Sequence, residues 1–361
     1  MRFGKMTNQE IVRYFDGISV KPYDHVFQYP EPASGQLPEI PGVLELNRDV
    51  EPFLIQSTAF ETPLMHRIRY EPLTFVHFSD VHAVLELWNR ITEYINHYKE
   101  FIAFGLHTGD YCGDNQDQWH DFYTEGVACQ RPILNCVGNH DTCAGPQWVK
   151  MPKEAAWKLL FARTEDWEAT FLNCPYSMSY YRDFPDSNLR LIVLDQYFDQ
   201  ELQKQWLCQC LQDAQEKGLW VITAMHEPTA EIVESPNVTF HTLTQFSPLR
   251  ETAFEDVLKE FVARGGNFIC NFCGHEHHDL FGYTAGGVLN VAVECACDWA
   301  GWCDGKRVRG TKTYDCFNVV TIDTDLHVLK LVRVGNNADY YLRKKQVLCY
   351  DYQNRSVIFN G

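Results

Sequence analysis

The sequence has few basic residues for its length. Its 361 residues include 31 Lys and Arg against 48 Asp and Glu, which gives a formal net charge of −17 at pH 7. Proteins bind polymeric nucleic acid mainly through Lys and Arg contacts to phosphates, and so acidic a chain lacks an extended track of positive charge. The composition therefore argues against polymeric nucleic acid as a partner.

Long apolar runs are also absent. No window approaches the roughly 18 apolar residues that a membrane span needs, and the first residues, MRFGKMTNQEIVRYFDG, lack the apolar run of a secretion signal. We therefore expect a soluble cytoplasmic protein that does not associate with membranes. The 14 cysteines are expected to stay reduced and to be mainly buried packing residues.

The first part of the chain differs in pattern from the rest. A capping box predicts a short helix over residues 7–15. The stretch YPEPASGQLPEIPG (29–42) is rich in proline and glycine, which is typical of an extended connector. The segments FLIQSTAF (53–60) and HRIRY (66–70) have the composition of strands. We predict that residues 1–70 form an N-terminal extension.

The pattern becomes regular over residues 71–361, which we predict to form one larger domain. Short apolar runs of strand length alternate with amphipathic segments of helical period at residues 83–100, 199–217 and 249–264. This alternation predicts an α/β architecture. Past residue 285 the helical pattern stops, and the runs VLNVAVE, FNVVTID and LHVLKLVRVG predict strands that extend a sheet.

Five of the predicted strands end in polar side chains that can bind metal ions. The strand runs are LTFVHFS, FIAFGLHT, PILNCV, LWVITAM and NFICNFC. Ligands of open α/β sheets gather beyond the carboxyl ends of the strands, so we expect these side chains to lie at one edge of the fold. The residues are Asp80, His82, Asp110, Asn139, His226, His275 and His277.

Each of these motifs has an ordinary structural explanation when it stands alone. The spacing of Asp80 and His82 lets both reach one cation, but it is also common by chance. Gly109-Asp110 fits a tight turn, and Asn139 fits a helix cap. Five such motifs, each at a predicted strand end, are not explained in this way.

Together the seven side chains offer nitrogen and oxygen donors. They are too many for one tetrahedral zinc ion, but they suit two ions about 3.5–4 Å apart that share a carboxylate. These donors suit Mn²⁺, Fe²⁺ and Zn²⁺. We therefore predict a centre of two divalent metal ions at the strand ends.

These motifs resemble the five ordered sequence blocks of the calcineurin-like metallophosphoesterases. The blocks are Asp80-x-His82, Gly109-Asp110, Gly138-Asn139-His140-Asp141, His226 and Gly274-His275-x-His277, within residues 71–335. The resemblance implies an α/β fold of two mixed β-sheets packed as a sandwich and flanked by helices, in four layers. It also implies that Asp80, His82, Asp110 and His277 hold one ion, and that Asp110, Asn139, His226 and His275 hold the other, with Asp110 as the bridge.

The resemblance implies that residues 71–361 are the catalytic domain of a phosphoesterase acting on a small phosphoester. Two dications neutralise the phosphate oxygens and lower the pKa of a bridging water, so that hydroxide attacks in line. The leaving oxygen then needs a proton. We expect His140 to donate it, with Asp141 or Asp110 holding the tautomer of that imidazole, so His140 and Asp141 are the predicted catalytic residues.

The form of the blocks bears on the substrate. Protein Ser/Thr phosphatases have Glu in the third block where this chain has Asp141, and purple acid phosphatases have a tyrosine ligand where this chain has Gly113. The Gly-Asn-His-Asp form is similar to that of phosphodiesterases and nucleotide-acting members, so a phosphodiester or nucleotide is the first expectation. A phosphomonoesterase and a non-catalytic module of the same fold are the alternatives.

Two further groups of residues have more than one interpretation. Aromatic residues either wall the substrate pocket and stack a base or belong to the core; they are Trp148, Trp157, Trp167, Tyr176, Tyr180, Tyr181, Phe240 and Phe246. The cysteine pairs are predicted to be packing residues rather than redox or zinc sites; they are Cys208/Cys210, Cys270/Cys273 and Cys295/Cys297. His278 is predicted to be a surface residue or to support a ligand from behind.

Overall fold

Two β-sheets lie face to face in the computed structural model, with helices on both outer sides. The structure describes residues 40–55, 69–111, 126–142, 153–161, 167–235, 253–297, 307–336 and 346–361. The strands are β1 (Leu73–Phe78), β2 (Gly105–His107), β3 (Ile133–Asn135), β4 (Thr170–Phe171), β5 (Tyr180–Phe184), β6 (Leu189–Val193), β7 (Trp220–Ala224), β8 (Ile232–Glu234), β9 (Phe268–Cys273), β10 (Leu280–Thr284), β11 (Leu289–Ala292), β12 (Cys316–Asp323), β13 (Val328–Gly335), β14 (Val347–Asp351) and β15 (Ser356–Asn360).

The helices match the predicted amphipathic segments where the two can be compared. They are α1 (Val43–Leu46), α2 (Glu51–Ile55), α3 (Leu85–His97), α4 (Asn139–Thr142), α5 (Lys153–Phe161), α6 (Gln200–Lys217) and α7 (Ala253–Ala263). Short 3₁₀ helices cover Arg48–Val50, Pro185–Ser187 and Lys312–Tyr314. The predicted segments 83–100, 199–217 and 249–264 correspond to α3, α6 and α7.

Each sheet contains both parallel and antiparallel pairs. The first sheet has seven strands in the order β15-β14-β13-β12-β1-β2-β3, and β1, β2 and β3 are parallel. The second has eight strands in the order β4-β5-β6-β7-β9-β11-β10-β8, and β6, β7, β9 and β11 are parallel. The predicted pair of mixed sheets is therefore confirmed.

Aromatic side chains fill the space between the sheets. Phe75 of β1 stacks on Phe104 with ring centroids 4.7 Å apart, and it meets Phe272 of β9 edge-on at 5.4 Å. The hydroxyls of Tyr283 and Tyr350, from β10 and β14, are 2.8 Å apart. Burial of these large apolar surfaces holds the sheets together. It also fixes the end of β1 beside the end of β9.

Helices cover the outer face of each sheet. Trp88 of α3 contacts Phe78 of β1 at a centroid distance of 5.7 Å, so α3 lies on the first sheet. On the second sheet, Leu207 of α6 and Leu258 of α7 belong to one buried apolar cluster with Val221 of β7. The order helix, sheet, sheet, helix gives the four predicted layers.

Residues 40–55 pack against α3 and the first sheet. Val43 and Val50 are buried, and Asn47 Nδ2 donates a hydrogen bond of 3.0 Å to Asp315 Oδ2. Arg90 of α3 donates through Nη1 to the Pro41 carbonyl at 2.9 Å. This part of the chain is therefore attached to the larger domain, and the division at residue 70 remains a prediction.

The predicted strand over residues 53–60 is wrong in the described part, since Phe53–Ile55 are helical in α2. A short apolar run does not by itself distinguish a strand from a helical turn. Of the predicted strand 66–70, only Arg69 and Tyr70 are described, and neither is in a strand. The predicted helix 7–15 and the connector up to residue 39 lie outside the described residues.

Three of the aromatic residues with two interpretations are buried in the core. Trp157, Trp167 and Tyr180 are all in the main apolar cluster. The Trp167 and Tyr180 rings lie 5.1 Å apart. These three residues therefore stabilise the fold, whereas Trp148, Phe240 and Phe246 lie outside the described residues.

Candidate metal centre

The loops that follow β1, β2, β3, β7 and β9 bring all seven predicted ligands together at one edge of the sandwich. The first three loops come from the first sheet and the last two from the second. The seven side chains form two clusters that share Asp110. We call them the inner cluster (Asp80, His82, Asp110, His277) and the outer cluster (Asp110, Asn139, His226, His275).

The inner cluster is buried, and the largest exposure among its side chains is 11% at His277. Its four ligand atoms all lie within 4.8 Å of one another. His82 Nε2 and His277 Nε2 are 3.0 Å apart, and His277 Nε2 is 3.3 Å from Asp80 Oδ1. Two imidazoles and two carboxylates thus converge on one small volume.

The outer cluster is built around His226 and is partly exposed at Asn139 and His275. His226 Nε2 is 3.1 Å from Asp110 Oδ2. Asn139 Oδ1 lies 3.0 Å from both His226 Nε2 and His275 Nδ1. The donor atoms of the two clusters therefore approach Asp110 from different loops.

The backbone at the site is strained. Five of the seven residues have left-handed φ values, namely 52° at Asp80, 47° at His82, 54° at Asp110, 67° at His275 and 57° at His277. This conformation costs a non-glycine residue about 1–2 kcal/mol. Strain of this kind persists where surrounding contacts impose it, and it concentrates at functional sites. Here it aims successive side chains at a common centre.

Two glycines of the sequence motifs are required by close packing. A Cβ at Gly138 would overlap the backbone nitrogen and Oδ1 of Asp110, and a Cβ at Gly274 would overlap Ser79 Oγ. Glycine lets the loops approach each other at these positions. The glycines thus bring Asp110 and Asp80 next to the loops that carry the other ligands.

Asp141 fixes the position of Asp110. Its buried carboxylate accepts hydrogen bonds from the backbone amides of Asp110 (3.0 Å), Tyr111 (2.9 Å) and Gly138 (2.8 Å). Hydrogen bonds to an ionised carboxylate are stronger than neutral ones. Asp141 therefore ties the loop after β2 to the loop after β3. These contacts make it a positioning residue for the shared carboxylate.

A hydrogen bond on the side away from the centre orients the ring of His226. Its Nδ1 lies 2.7 Å from the Thr108 carbonyl oxygen, so Nδ1 carries a proton and donates it. A bond of this type leaves Nε2 facing the centre, and it is the usual support for a metal-binding histidine.

The two buried carboxylates are ionised. Burial would raise the pKa of Asp80, but the imidazoles of His277 and His226 outweigh burial and lower it. Burial likewise opposes ionisation of Asp110, yet His226 and His140 hold its pKa well below the ordinary value. Although burial disfavours the charged form of His226, Asp110 and Asp80 raise its pKa to about 10. The two carboxylates therefore favour a positive charge at this position.

Two of the imidazoles are neutral. Burial and the neighbouring His277 hold the pKa of His82 well below its ordinary value. Burial and the nearby His226 lower the pKa of His275 to about 4. A neutral imidazole has a free lone pair on one nitrogen, which is the form that binds a metal ion.

The arrangement fits metal ions. Asp80 Oδ1 is completely buried, and it forms no hydrogen bond of ordinary geometry among the described residues. A buried carboxylate oxygen without a donor is costly unless a cation compensates it. The mixed carboxylate, amide and imidazole donors suit divalent ions of the first transition row. The structure thus has the donor chemistry for two ions.

His140 lies at the rim of the site. Its side chain is 12% exposed, and its Nε2 is 3.8 Å from Asp110 Oδ2. The backbone amide of His140 donates to Asp110 Oδ1 at 2.9 Å. The ring also meets the His82 ring edge-on, with centroids 4.9 Å apart. His140 is therefore next to both clusters and accessible to a bound molecule.

Cys297 is buried, as predicted for a packing residue. Its Sγ also lies within 4.8 Å of the ligand nitrogens of His82 and His277. No local pattern in the sequence marks Cys297, which reaches the site because β11 pairs in parallel with β9. Of the other paired cysteines, Cys208 is exposed, whereas Cys210, Cys270, Cys273 and Cys295 are buried as predicted.

Glu227 and Tyr197 were not predicted as site residues. Glu227 is buried directly after His226 and accepts a hydrogen bond of 2.9 Å from the Tyr197 hydroxyl. The Tyr197 ring centroid lies 6.4 Å from that of His226. Tyr197 follows β6, the parallel neighbour of β7, so the strand-end rule that identified the ligands also applies to it.

In the described part of the chain, the helices are too short or too polar to span a lipid bilayer.

Known proteins provide an independent comparison. The sequence profile of the calcineurin-like phosphoesterases matches residues 73–279. The fold is similar to the crystal structure of a dimetal phosphatase from Danio rerio, with a TM-score of 0.53 and 14% identity over 78% of this chain and 100% of the other. It is also similar to the structure of PhoD, with a TM-score of 0.50 and 12% identity over 80% of this chain and 72% of the other.

A search of curated protein sequences gave no significant match. The profile match covers more than half of the chain and includes every predicted metal ligand. The two structural similarities agree with it on the fold. The chain therefore belongs to the calcineurin-like phosphoesterase family, and it is a metal-dependent phosphoric ester hydrolase.

Proposed function

We propose that the protein hydrolyses a small phosphodiester or nucleotide-type substrate at a centre of two divalent ions. The observation that carries this proposal is the sharing of one buried carboxylate, Asp110, by two clusters of donor atoms. Two ions that share a ligand in this way form the clamp that two-metal hydrolases use in an in-line displacement.

The residues of each cluster would hold one ion. Asp80, His82, Asp110 and His277 form the first set, and Asp110, Asn139, His226 and His275 form the second. When bound, the ions supply neutralisation of the phosphate charge and activation of a water nucleophile. The hydrogen bonds from three backbone amides to Asp141 hold in place the loop that carries Asp110.

His140 is the proposed proton donor to the leaving oxygen. Its side chain is partly exposed at the rim, and Asp110 Oδ2 lies 3.8 Å from Nε2. A nearby carboxylate stabilises the protonated imidazole, which can then transfer the Nε2 proton to the leaving oxygen. After the transfer the neutral ring takes a proton from solvent. Asp141 supports this step indirectly, because it positions Asp110.

Charge favours a diester over a monoester. A phosphodiester carries one negative charge near neutral pH, whereas a monoester carries up to two. The protein has a net charge of −17, and Glu227 is buried directly beside His226. The less charged substrate is therefore repelled less on approach. A phosphomonoesterase at the same site is the alternative outcome of the assay below.

The proposal includes a cytoplasmic location and small substrates. No disulfide joins two of the described cysteines, as is usual in a reducing compartment.

The test is hydrolysis of two chromogenic esters, bis(p-nitrophenyl) phosphate and p-nitrophenyl phosphate, by metal-stripped protein. We expect no turnover before Mn²⁺ is added, and faster turnover of the diester afterwards. Preference for the monoester would replace the proposed substrate class and leave the two-ion centre in place. Turnover that does not change when Mn²⁺ is added, and that persists with a chelator instead, would contradict the whole proposal.

A further inference from the structure

The loop that follows β11 runs along the inner cluster and is held firmly against it. The backbone amide of Ala296 donates to the Ser79 carbonyl at 2.8 Å, and that of Cys297 donates to the Asp80 carbonyl at 3.2 Å. Arg307 fixes the same loop, because its Nη1 donates to the Cys295 carbonyl at 2.8 Å and its Nη2 to the Ala296 carbonyl at 3.0 Å. Cys297 is therefore placed by a network of hydrogen bonds.

The thiol of Cys297 points at the histidines of the inner cluster. Its Sγ and the ligand nitrogens of His82 and His277 all lie within 4.8 Å of one another, and all three residues are buried. Two ligands of one tetrahedral ion, with bonds of about 2.0–2.3 Å, lie roughly 3.3–3.6 Å apart. The sulfur would therefore need to shift by at most about 1 Å to coordinate an ion together with these histidines.

A second observation also indicates a ligand at this point. Asp80 Oδ1 is buried and forms no hydrogen bond of ordinary geometry in the described part of the chain. The same oxygen faces His277 Nε2 at 3.3 Å. The thiol and the carboxylate oxygen therefore belong to two overlapping groups that share the imidazoles of His82 and His277.

We infer that Cys297 is an additional ligand of the ion held by the inner cluster, and that this ion is thiophilic. The inference rests on the proposed centre of two ions. Thiolate ligands favour Zn²⁺ and Fe²⁺ over Mg²⁺ and Mn²⁺. The outer cluster offers nitrogen and oxygen only. The two positions thus differ in metal preference, and a mixed pair of ions is the expected resting form.

The binding step is a ligand exchange. The Cys297 thiol loses its proton to solvent, and the sulfur forms a bond to the metal ion in place of a water molecule. No group is oxidised or reduced. Metal binding through sulfur therefore releases one more proton per chain than binding through the other ligands alone.

The experiment is X-ray absorption spectroscopy of the full chain loaded with Zn²⁺, combined with absorption spectra of the Co²⁺-loaded protein. We expect a sulfur neighbour at about 2.3 Å from part of the zinc, and a sulfur-to-cobalt charge-transfer band. Cys297→Ser should lose both signals and bind Zn²⁺ about 10–100-fold more weakly at one position, with a smaller loss for Mn²⁺.

Cys295→Ser is the matched control, because Cys295 is buried two residues away and its Sγ donates to the Cys297 carbonyl at 3.6 Å. It should keep both sulfur signals. The wild-type spectrum alone decides the matter if Cys297→Ser fails to fold. Two zinc ions bound through nitrogen and oxygen only would overturn the inference, and so would sulfur signals that persist in Cys297→Ser.

These results separate the inference from the proposed function. Two bound ions without a sulfur ligand would show that Cys297 is not a metal ligand and would leave the proposed two-ion centre intact. A wild-type chain that binds fewer than two ions would contradict the proposed centre, and the inference would fall with it. Loss of the sulfur signal in Cys297→Ser, with both ions still bound to wild type, supports both.

Discussion

The inner and outer clusters share Asp110 but are built differently. Asp80, His82 and His277 of the inner cluster are buried and have left-handed backbones. In the outer cluster Asn139 and His275 are partly exposed, and Asn139 begins the short helix α4. Strain and burial hold the inner ligands in one geometry, whereas two of the outer ligands are partly exposed. We expect the inner position to bind its ion more tightly and the outer position to exchange it.

The strongest test of the comparison is Asp110→Asn, which changes both clusters at once. The variant removes the shared negative charge, so we expect kcat/KM for a phosphodiester to fall at least about a thousandfold. Kinetics at saturating Mn²⁺, with a circular dichroism spectrum to verify folding, measure the loss. Asp186→Asn is a control at an exposed aspartate and should keep wild-type kinetics. Substantial activity in Asp110→Asn would contradict the role of Asp110 as the shared ligand.

His140→Ala should separate catalysis from metal binding. We expect both ions to remain, while turnover of substrates with poor leaving groups falls about 100–1,000-fold, because no proton reaches the leaving oxygen. Substrates with good leaving groups should be affected less. Rates across a series of leaving groups measure this difference. Equal losses along the whole series would assign His140 a role other than proton donation.

A pair of variants should distinguish the two clusters. His82→Ala removes a ligand of the inner cluster, and Asn139→Ala removes a ligand of the outer cluster. We expect the first to weaken the tighter of two binding steps and the second to weaken the looser one, each about a hundredfold. Calorimetric titration of metal-stripped protein with Mn²⁺ resolves the two steps. If both variants changed the same step, the clusters would not be separate positions.

Asp141→Asn should affect both clusters equally, and its effect should be smaller than those of the variants above. The amide cannot accept all three backbone hydrogen bonds that the carboxylate accepts, so the loops after β2 and β3 lose their common anchor. We expect a loss of about 10–100-fold in kcat/KM and of roughly 2–3 kcal/mol in the free energy of unfolding. Urea denaturation and kinetics measure both. Unchanged stability would show that the anchor is not needed.

The weakest expected effect on catalysis concerns Asp195, at the end of β6 in the second sheet. Burial raises the pKa of this carboxyl from 3.8 to about 7, although the amides of Tyr197 and Phe198 donate to it. Because the folded state holds the proton more tightly than the unfolded state, the associated stability is complete below pH 4 and is lost as the pH rises to about 7.

Between pH 4 and pH 7 the free energy of unfolding of Asp195→Asn should therefore fall less than that of wild type. Thermal unfolding across this range gives the comparison. Parallel profiles for the two proteins would show that Asp195 does not titrate in this window. Kinetics at one pH serve as the control and should change little.

The sequence predicted the ligands better than it predicted their support. Carboxylates and imidazoles at strand ends are local features, so Asp80 and His277 are recognisable without a fold. Asp141 was expected near the His140 ring, but its resolved contacts are to backbone amides of two loops. Cys297 reaches the site only because β11 pairs beside β9, a contact between distant parts of the chain. Such pairings depend on tertiary packing, which local patterns do not encode.

The most direct test of the two-ion centre is the number of ions bound per chain. Metal-stripped protein is dialysed to equilibrium against Mn²⁺ or Zn²⁺, and bound metal is then counted by mass spectrometry for wild type and Asp110→Asn. We expect two ions per wild-type chain and at most one per variant chain, because both clusters need the shared carboxylate. One ion per wild-type chain, or two in each protein, would contradict the bridged centre.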